Sequence, residues 1–110
     1  MSLNLRRNAI AELNASGVGE SFITNNNAGK LWIVRQISLI TNPETAGCTC
    51  TVRFPTGILD TSYLAGTGDV AGGDPPVYLY SGDFLKLVWA AGPVNGQGIC
   101  TFIFDEVDIV

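Results

Sequence analysis

From Cys48 to Phe54 apolar and polar residues alternate without a break. Cys48, Cys50, Val52 and Phe54 fall on one side, and Thr49, Thr51 and Arg53 on the other. A period of two marks a strand with one face on a core. Phe84 to Ala90 repeats the pattern, with Leu85, Leu87 and Trp89 opposite Phe84, Lys86 and Val88. Leu31 to Thr41 reads as a long apolar strand, and Glu20 to Thr24 as a short one. Further strands are expected at Ile58 to Leu64, Val77 to Tyr80 and Ile99 to Phe104, followed by an acidic and apolar end from Asp105 to Val110. Turn residues punctuate them: Asn25 to Gly29, whose Asn and Gly tolerate positive φ, then Asn42-Pro43, Pro55 to Gly57, Ser81 to Asp83 and Gly92 to Gly96. Residues 65–76 hold four glycines and two prolines, which predicts a long exposed loop without a regular element.

The first fifteen residues differ. Leu3, Arg6/Arg7, Ile10 and Leu13 recur at helical spacing, and Ala9 to Leu13 has fair helix propensity until Asn14 to Gly17 ends it. The expectation is a short N-terminal arm over residues 1–18, either a frayed tail or a segment that docks on a partner. The remaining residues, 19–110, form one domain. Seven or eight short strands with turns about every ten residues make that domain all-β. The reading is an antiparallel β-sandwich, jelly-roll-like, with an up-and-down barrel still open. No crossover helix fits between the strands, so a parallel α/β fold is excluded. The core is expected to hold Val52, Phe54, Leu85, Leu87, Trp89, Phe102 and Phe104.

Composition turns this fold towards assembly. The chain has 110 residues, enough for one domain. Only 15% are charged, against about 25% in an average soluble domain. Mixed surface charge keeps free monomers apart, and a subunit packed among neighbours needs less of it. The net charge is −4 and the six basic residues are scattered, which argues against a nucleic-acid partner. Residues 1–18 carry net +1 and residues 19–110 net −5, so the arm is attracted to acidic surfaces. Arg6, Arg7, Asn8 and Glu12 interrupt any signal-peptide run, and Leu31 to Ile40 is too short to span a bilayer. Synthesis in a cytosol and no membrane partner are expected.

Candidate chemistry is sparse. The sequence contains no His, the commonest general base and metal ligand, and no G-x-S-x-G turn. Asp69, Asp74 and Asp83 stand beside Gly or Pro, where Asp serves as a turn residue; Asp60 is the fourth candidate for a carboxylate pair. The glycine-rich loop lacks G-x-x-x-x-G-K-[ST]. Cys48, Cys50 and Cys100 are odd in number and have no His to help ligate zinc, so they read as reduced core thiols. The expectation is a non-enzyme with no cofactor and no metal. Among the aromatics, Trp89 is in register with Leu85 and Leu87 and belongs to the core. Tyr78 and Tyr80 share a face opposite Leu79 and are candidates for a sugar platform.

Val77-Tyr-Leu-Tyr-Ser-Gly-Asp-Phe-Leu-Lys-Leu-Val-Trp89, then a Gly-Pro loop and a last strand, resembles the C-terminal half of small β-sandwich virion proteins of tailed bacteriophages. Lys30-Leu-Trp-Ile-Val-Arg-Gln-Ile-Ser-Leu39 is similar to their long inner strand, and the likeness covers about residues 20–107 in pattern. The resemblance implies a capsid decoration or minor capsid subunit that binds the major capsid protein or other virion proteins, is a homo-oligomer and resides in the virion. It carries no catalytic residues. The alternative is a carbohydrate- or receptor-binding module of a tail tip or fibre, and a small metal-dependent or thiol enzyme stands third. The candidate partner-binding residues are Leu3, Leu5, Arg6, Arg7, Ile10, Leu13, Asp69, Asp74, Tyr78 and Tyr80.

Overall fold

The computed structural model describes residues 2–53, 61–71 and 77–109. Among these the chain forms β1 (Ser2–Glu12), β2 (Gly19–Thr24), β3 (Lys30–Asn42), β4 (Thr49–Arg53), β5 (Thr61–Leu64), β6 (Asp69–Ala71), β7 (Val77–Leu79), β8 (Phe84–Ala90) and β9 (Gln97–Asp108), with no helix. All pairings are antiparallel. The first sheet runs β1-β9-β3, and both β6 and β7 pair with the far side of β3. The second runs β2-β8-β4-β5. β6 meets β3 at Ile37 to Leu39 and β7 meets it at Trp32 to Val34, so the two short strands share one strand position. The result is eight positions in two sheets of four, with the chain changing sheet at nearly every connection. This is a jelly roll. Two separate sheets set the barrel alternative aside.

The core follows the alternation. Cys50 and Val52 of β4, Leu85, Leu87 and Trp89 of β8, and Cys100, Phe102 and Phe104 of β9 all point inward and are buried. The expected core is present; Phe54 lies outside the described residues. All three cysteines are free and buried. Trp89 presses on Gly98 of the opposite sheet, where an added Cβ would stand 2.4 Å from the ring. That position accepts no side chain.

β3 explains why its own stretch looked uniformly apolar. Trp32 and Val34 are buried at even positions, but Ile37, Leu39 and Thr41 are buried at odd ones. The register with β9 shifts between Val34 and Gln36, and this bulge moves the inward face by one residue.

Two expectations are corrected. The helical spacing in the first fifteen residues does not produce a helix: residues 2–12 are extended and pair with β9 along the strand. Ala9, Ala11 and Leu13 form the inward set of this edge strand, and all three are buried. Two of them are alanines, which read as helix formers and carry too little apolar weight to show the period of two. The expected boundary at residue 18 falls in the corner between β1 and β2. In the segment 65–76, residues 69–71 are not loop but β6, because β3 offers them a ladder that composition does not reveal. The expected strand from Ile58 is seen as β5, Thr61–Leu64; residues 54–60 lie outside the described residues.

Asn25, read as a turn residue, does stand in the turn between β2 and β3, and it does more. It is completely buried and ties the sheets together. Its side-chain amide donates to the carbonyls of Lys30 (3.1 Å) and Leu79 (2.8 Å), and its carbonyl accepts from the Asn27 N–H at 3.0 Å. Its backbone N–H donates to Asp83 O at 3.1 Å, beside β8. A buried amide satisfied this way closes its own turn and holds the two sheets in place as well. The neighbouring Gly29 does take the positive φ expected of that turn.

Candidate functional site

β1 is an edge. Among the described residues it pairs with β9 on one side only, and its other side carries no ladder. Its start is irregular: the register shifts between Ser2 and Leu5, and Asn4 has φ +54°. From Leu5 to Glu12 the pairing is regular.

The bulge at Asn4 and the bulge at Arg35 flank the same residue of β9. Asp105 is buried; its carboxylate accepts the Asn4 N–H at 2.8 Å and the Arg35 Nε–H. Those partners hold its carboxyl below the usual range, the Asn4 N–H foremost and Arg35 second. One carboxylate thus fixes the bend of the outer strands on both sides of β9. At the same end Glu106 accepts from Trp32 Nε1 at 2.9 Å and Asn27 Nδ2 at 2.8 Å, which hold its carboxyl below the usual range, Trp32 foremost, with Lys30 and Arg7 adding less. Lys30 and Asp108 form an exposed ion pair.

The inward face near this end holds three stacked rings. Trp32 and Phe104 have centroids 4.3 Å apart, and Phe102 and Phe104 5.4 Å. The Arg7 guanidinium lies 5.2 Å from the Trp32 ring and 5.6 Å from that of Phe104. It closes the open side of the aromatic stack by cation–π attraction.

The outward face of this sheet is different. Ile10, Ile99 and Ile40 stand directly opposite one another on β1, β9 and β3 and form an apolar row across three strands. Ile10, at the edge, is 48% exposed. Next to it lies the row Asn8, Thr101 and Ser38, in which Thr101 Oγ1 donates to Asn8 Oδ1 at 2.9 Å. At the row's end Ser38, Ile40, Gly68, Asp69 and Thr101 line a shallow open groove of about 540 Å³.

The residues singled out from the sequence therefore divide. Leu3, Leu5, Arg6, Arg7 and Ile10 gather on β1, and Leu3, Arg6 and Ile10 project into solvent. Among the described residues Arg6 has no carboxylate partner, whereas Arg7 serves the aromatic stack. Leu13 is 5% exposed and belongs to the core, so its place among partner-binding residues is corrected. Asp69, Tyr78 and Tyr80 lie at the opposite edge, with β9 and β3 between; Asp74 is outside the described residues. Tyr78 and Tyr80 are each about half exposed while Leu79 between them is buried. The sequence reading missed Asn4, Arg35, Asp105 and the isoleucine row. Only the row left a signal, the matching of Ile40 and Ile99 across strands; the bulges left none. No family model matches this sequence, and no curated protein matches it.

Proposed function

We propose that the chain is a non-enzymatic structural protein of a bacteriophage virion, a capsid decoration or minor capsid subunit that binds the shell or other virion proteins. The observation that carries this reading is the regular, one-sided edge of β1 with Leu3, Arg6 and Ile10 turned outward on a charge-poor jelly roll. An open edge supplies main-chain hydrogen bonds to a partner, and its outward side chains supply selectivity. Jelly rolls serve in viral capsids and in lectins alike, so the fold supports the reading by analogy only. The sequence resemblance over residues 20–107 favours the virion.

Co-sedimentation of the purified protein with particles lacking it tests the proposal. Wild type should bind, and Ile10→Lys, which leaves the core untouched, should bind at least tenfold more weakly, as loss of one well-packed interface residue does. Failure of wild type to bind any particle fraction would reject the reading. The half-exposed Tyr78 and Tyr80 favour the second reading, a carbohydrate- or receptor-binding module of a tail tip or fibre. Glycan binding by the isolated protein that Tyr78→Ala and Tyr80→Ala both abolish would replace the first reading with the second.

A further inference from the structure

We infer that β1 pairs with β1 of a second copy, antiparallel about a two-fold axis at Ala9, joining two jelly rolls through one continuous sheet. The inference takes from the proposed function only the view that β1 is a contact surface. Its occupant follows from the order of charges along the strand. Arg6 and Arg7 stand near one end of the regular segment and Glu12 at the other. A strand with this polarity complements itself when reversed.

The pleat narrows the register. Residues directly opposite each other must lie on the same face, so the two positions in a pair are both odd or both even. Centring the axis on Ala9 puts Arg6 opposite Glu12 of the second copy, and Glu12 opposite its Arg6. Arg7 then meets Ala11, and Asn8 meets Ile10. Centring on Arg7 instead sets that residue against itself, and like charges directly opposite destabilise a pair. Centring on Asn8 pairs Glu12 with Asn4, inside the bulge where the ladder is irregular. Centring on Ile10 leaves Arg6 facing Asn14, beyond the strand. Among these registers the Ala9 axis alone pairs opposite charges along the regular segment.

Two further features suit this occupant. At the axis, inward-facing Ala9 meets itself, and its small side chain admits close approach beneath the sheet. On the outward face Ile10 is diagonal to Ile10 of the second copy, a spacing that long side chains can bridge. The apolar rows Ile10-Ile99-Ile40 of the two copies thereby become neighbours, and the 48% exposed edge residue gains cover.

Sedimentation velocity of the full chain over a wide concentration range tests the inference. A dimer is expected, and it should weaken with added salt because the charge pairs are exposed. Arg6→Glu and Glu12→Arg should each weaken it roughly tenfold, since each creates two like-charge juxtapositions, and combining them should restore it. Circular dichroism checks that the variants stay folded. Ala9→Cys adds a covalent readout, because directly opposed residues in an antiparallel pair lie at separations a disulfide spans. Oxidised Ala9→Cys should run as a covalent dimer and Ala11→Cys as a monomer. A monomer at every concentration, a dimer indifferent to the single charge changes, or single defects that the double change fails to rescue would overturn the inference. Particle co-sedimentation is scored separately: a wild type that is monomeric yet binds particles defeats self-pairing alone and leaves the virion reading standing, and a dimer that binds no particle does the reverse.

Discussion

β8 and β1 are both strands of one jelly roll, yet they hold their places for different reasons. β8 lies between β2 and β4 and buries Leu85, Leu87 and Trp89 completely. Among the described residues β1 has one neighbour, and it buries two alanines. Burying a large side chain contributes on the order of 1.5–3 kcal/mol, and a methyl far less. Apolar burial therefore fixes β8, whereas β1 depends on its ladder with β9, on the Asp105 clamp and on Arg7 over the aromatic stack. A strand held by ladder and polar contacts keeps its outer side free for other use.

The largest effect should come from breaking the centre. Trp89→Ala removes a fully buried ring that rests on Gly98, and truncations of this kind cost roughly 3–5 kcal/mol. Urea unfolding should show that loss. A similar loss on replacing Arg7 with Ala would erase the contrast between the strands.

Asn25→Ala comes next. It strips the amide from the Lys30 and Leu79 carbonyls, leaving the buried Leu79 acceptor without that partner, at a cost of about 1–3 kcal/mol. Retention of wild-type stability would show that the tie between the sheets is redundant.

The two regions should also answer differently to pH. Asp105 is held below the usual carboxylate range in the fold, so its contribution is present at neutral pH and is lost as pH falls through the lowered value. Protection of the Asn4 N–H, its exchange rate set against the unprotected rate at the same pH, should fall on acidification in wild type, and already be lost at neutral pH in Asp105→Ala. The thiols behave in the opposite sense. Burial pushes Cys50 and Cys100 up to about 12 from 9.0, so the neutral thiol is favoured in the fold. Their contribution is complete below pH 9 and is lost as pH rises towards 12. Thiol labelling of native protein at neutral pH should be slow, and it should become fast only with unfolding. Cys50→Ala and Cys100→Ala should each flatten the alkaline loss of stability.

How much of this was legible in the sequence follows the same divide. The centre was written in the alternation of Cys50 and Val52 and of Leu85, Leu87 and Trp89, where large apolar residues share one face. The edge was obscured because Ala9 and Ala11 are small and Ile10 points outward, which gave an apolar spacing closer to a helix. Bulges carry no signature in these residues: Arg35 and Asn4 acquire their roles only when β3 and β1 are laid beside Asp105. Burial of Asn25 depends likewise on β7 arriving from 54 residues away, at the Leu79 carbonyl. Of the ten candidate contact residues, Leu3, Arg6 and Ile10 stand exposed on β1, whereas Leu5 packs against the core and Arg7 over the rings, a division that only the strand's pleat reveals.

The smallest effect on stability should come from the outward side of β1, where the contrast is sharpest. Arg6 is exposed with no carboxylate partner among the described residues, and Ile10 is half exposed at the end of its row. Changes at such positions usually fall within about 0.5 kcal/mol. Arg6→Ala should therefore leave the urea midpoint almost unmoved. Ile10→Thr should do the same or nearly so, because a β-branched residue keeps the strand preference while part of one apolar contact is lost. Ala11→Asp, on the same strand but facing inward, provides the counterpart: it places a charge where Ala11 is 1% exposed and should lower stability by several kcal/mol or prevent folding. If Arg6→Ala or Ile10→Thr proved as damaging as Ala11→Asp, the outward side of β1 would be part of the fold's own support. A flat response there, beside a steep one at Ala11, means that selection on Arg6 and Ile10 is free to act through what the edge binds.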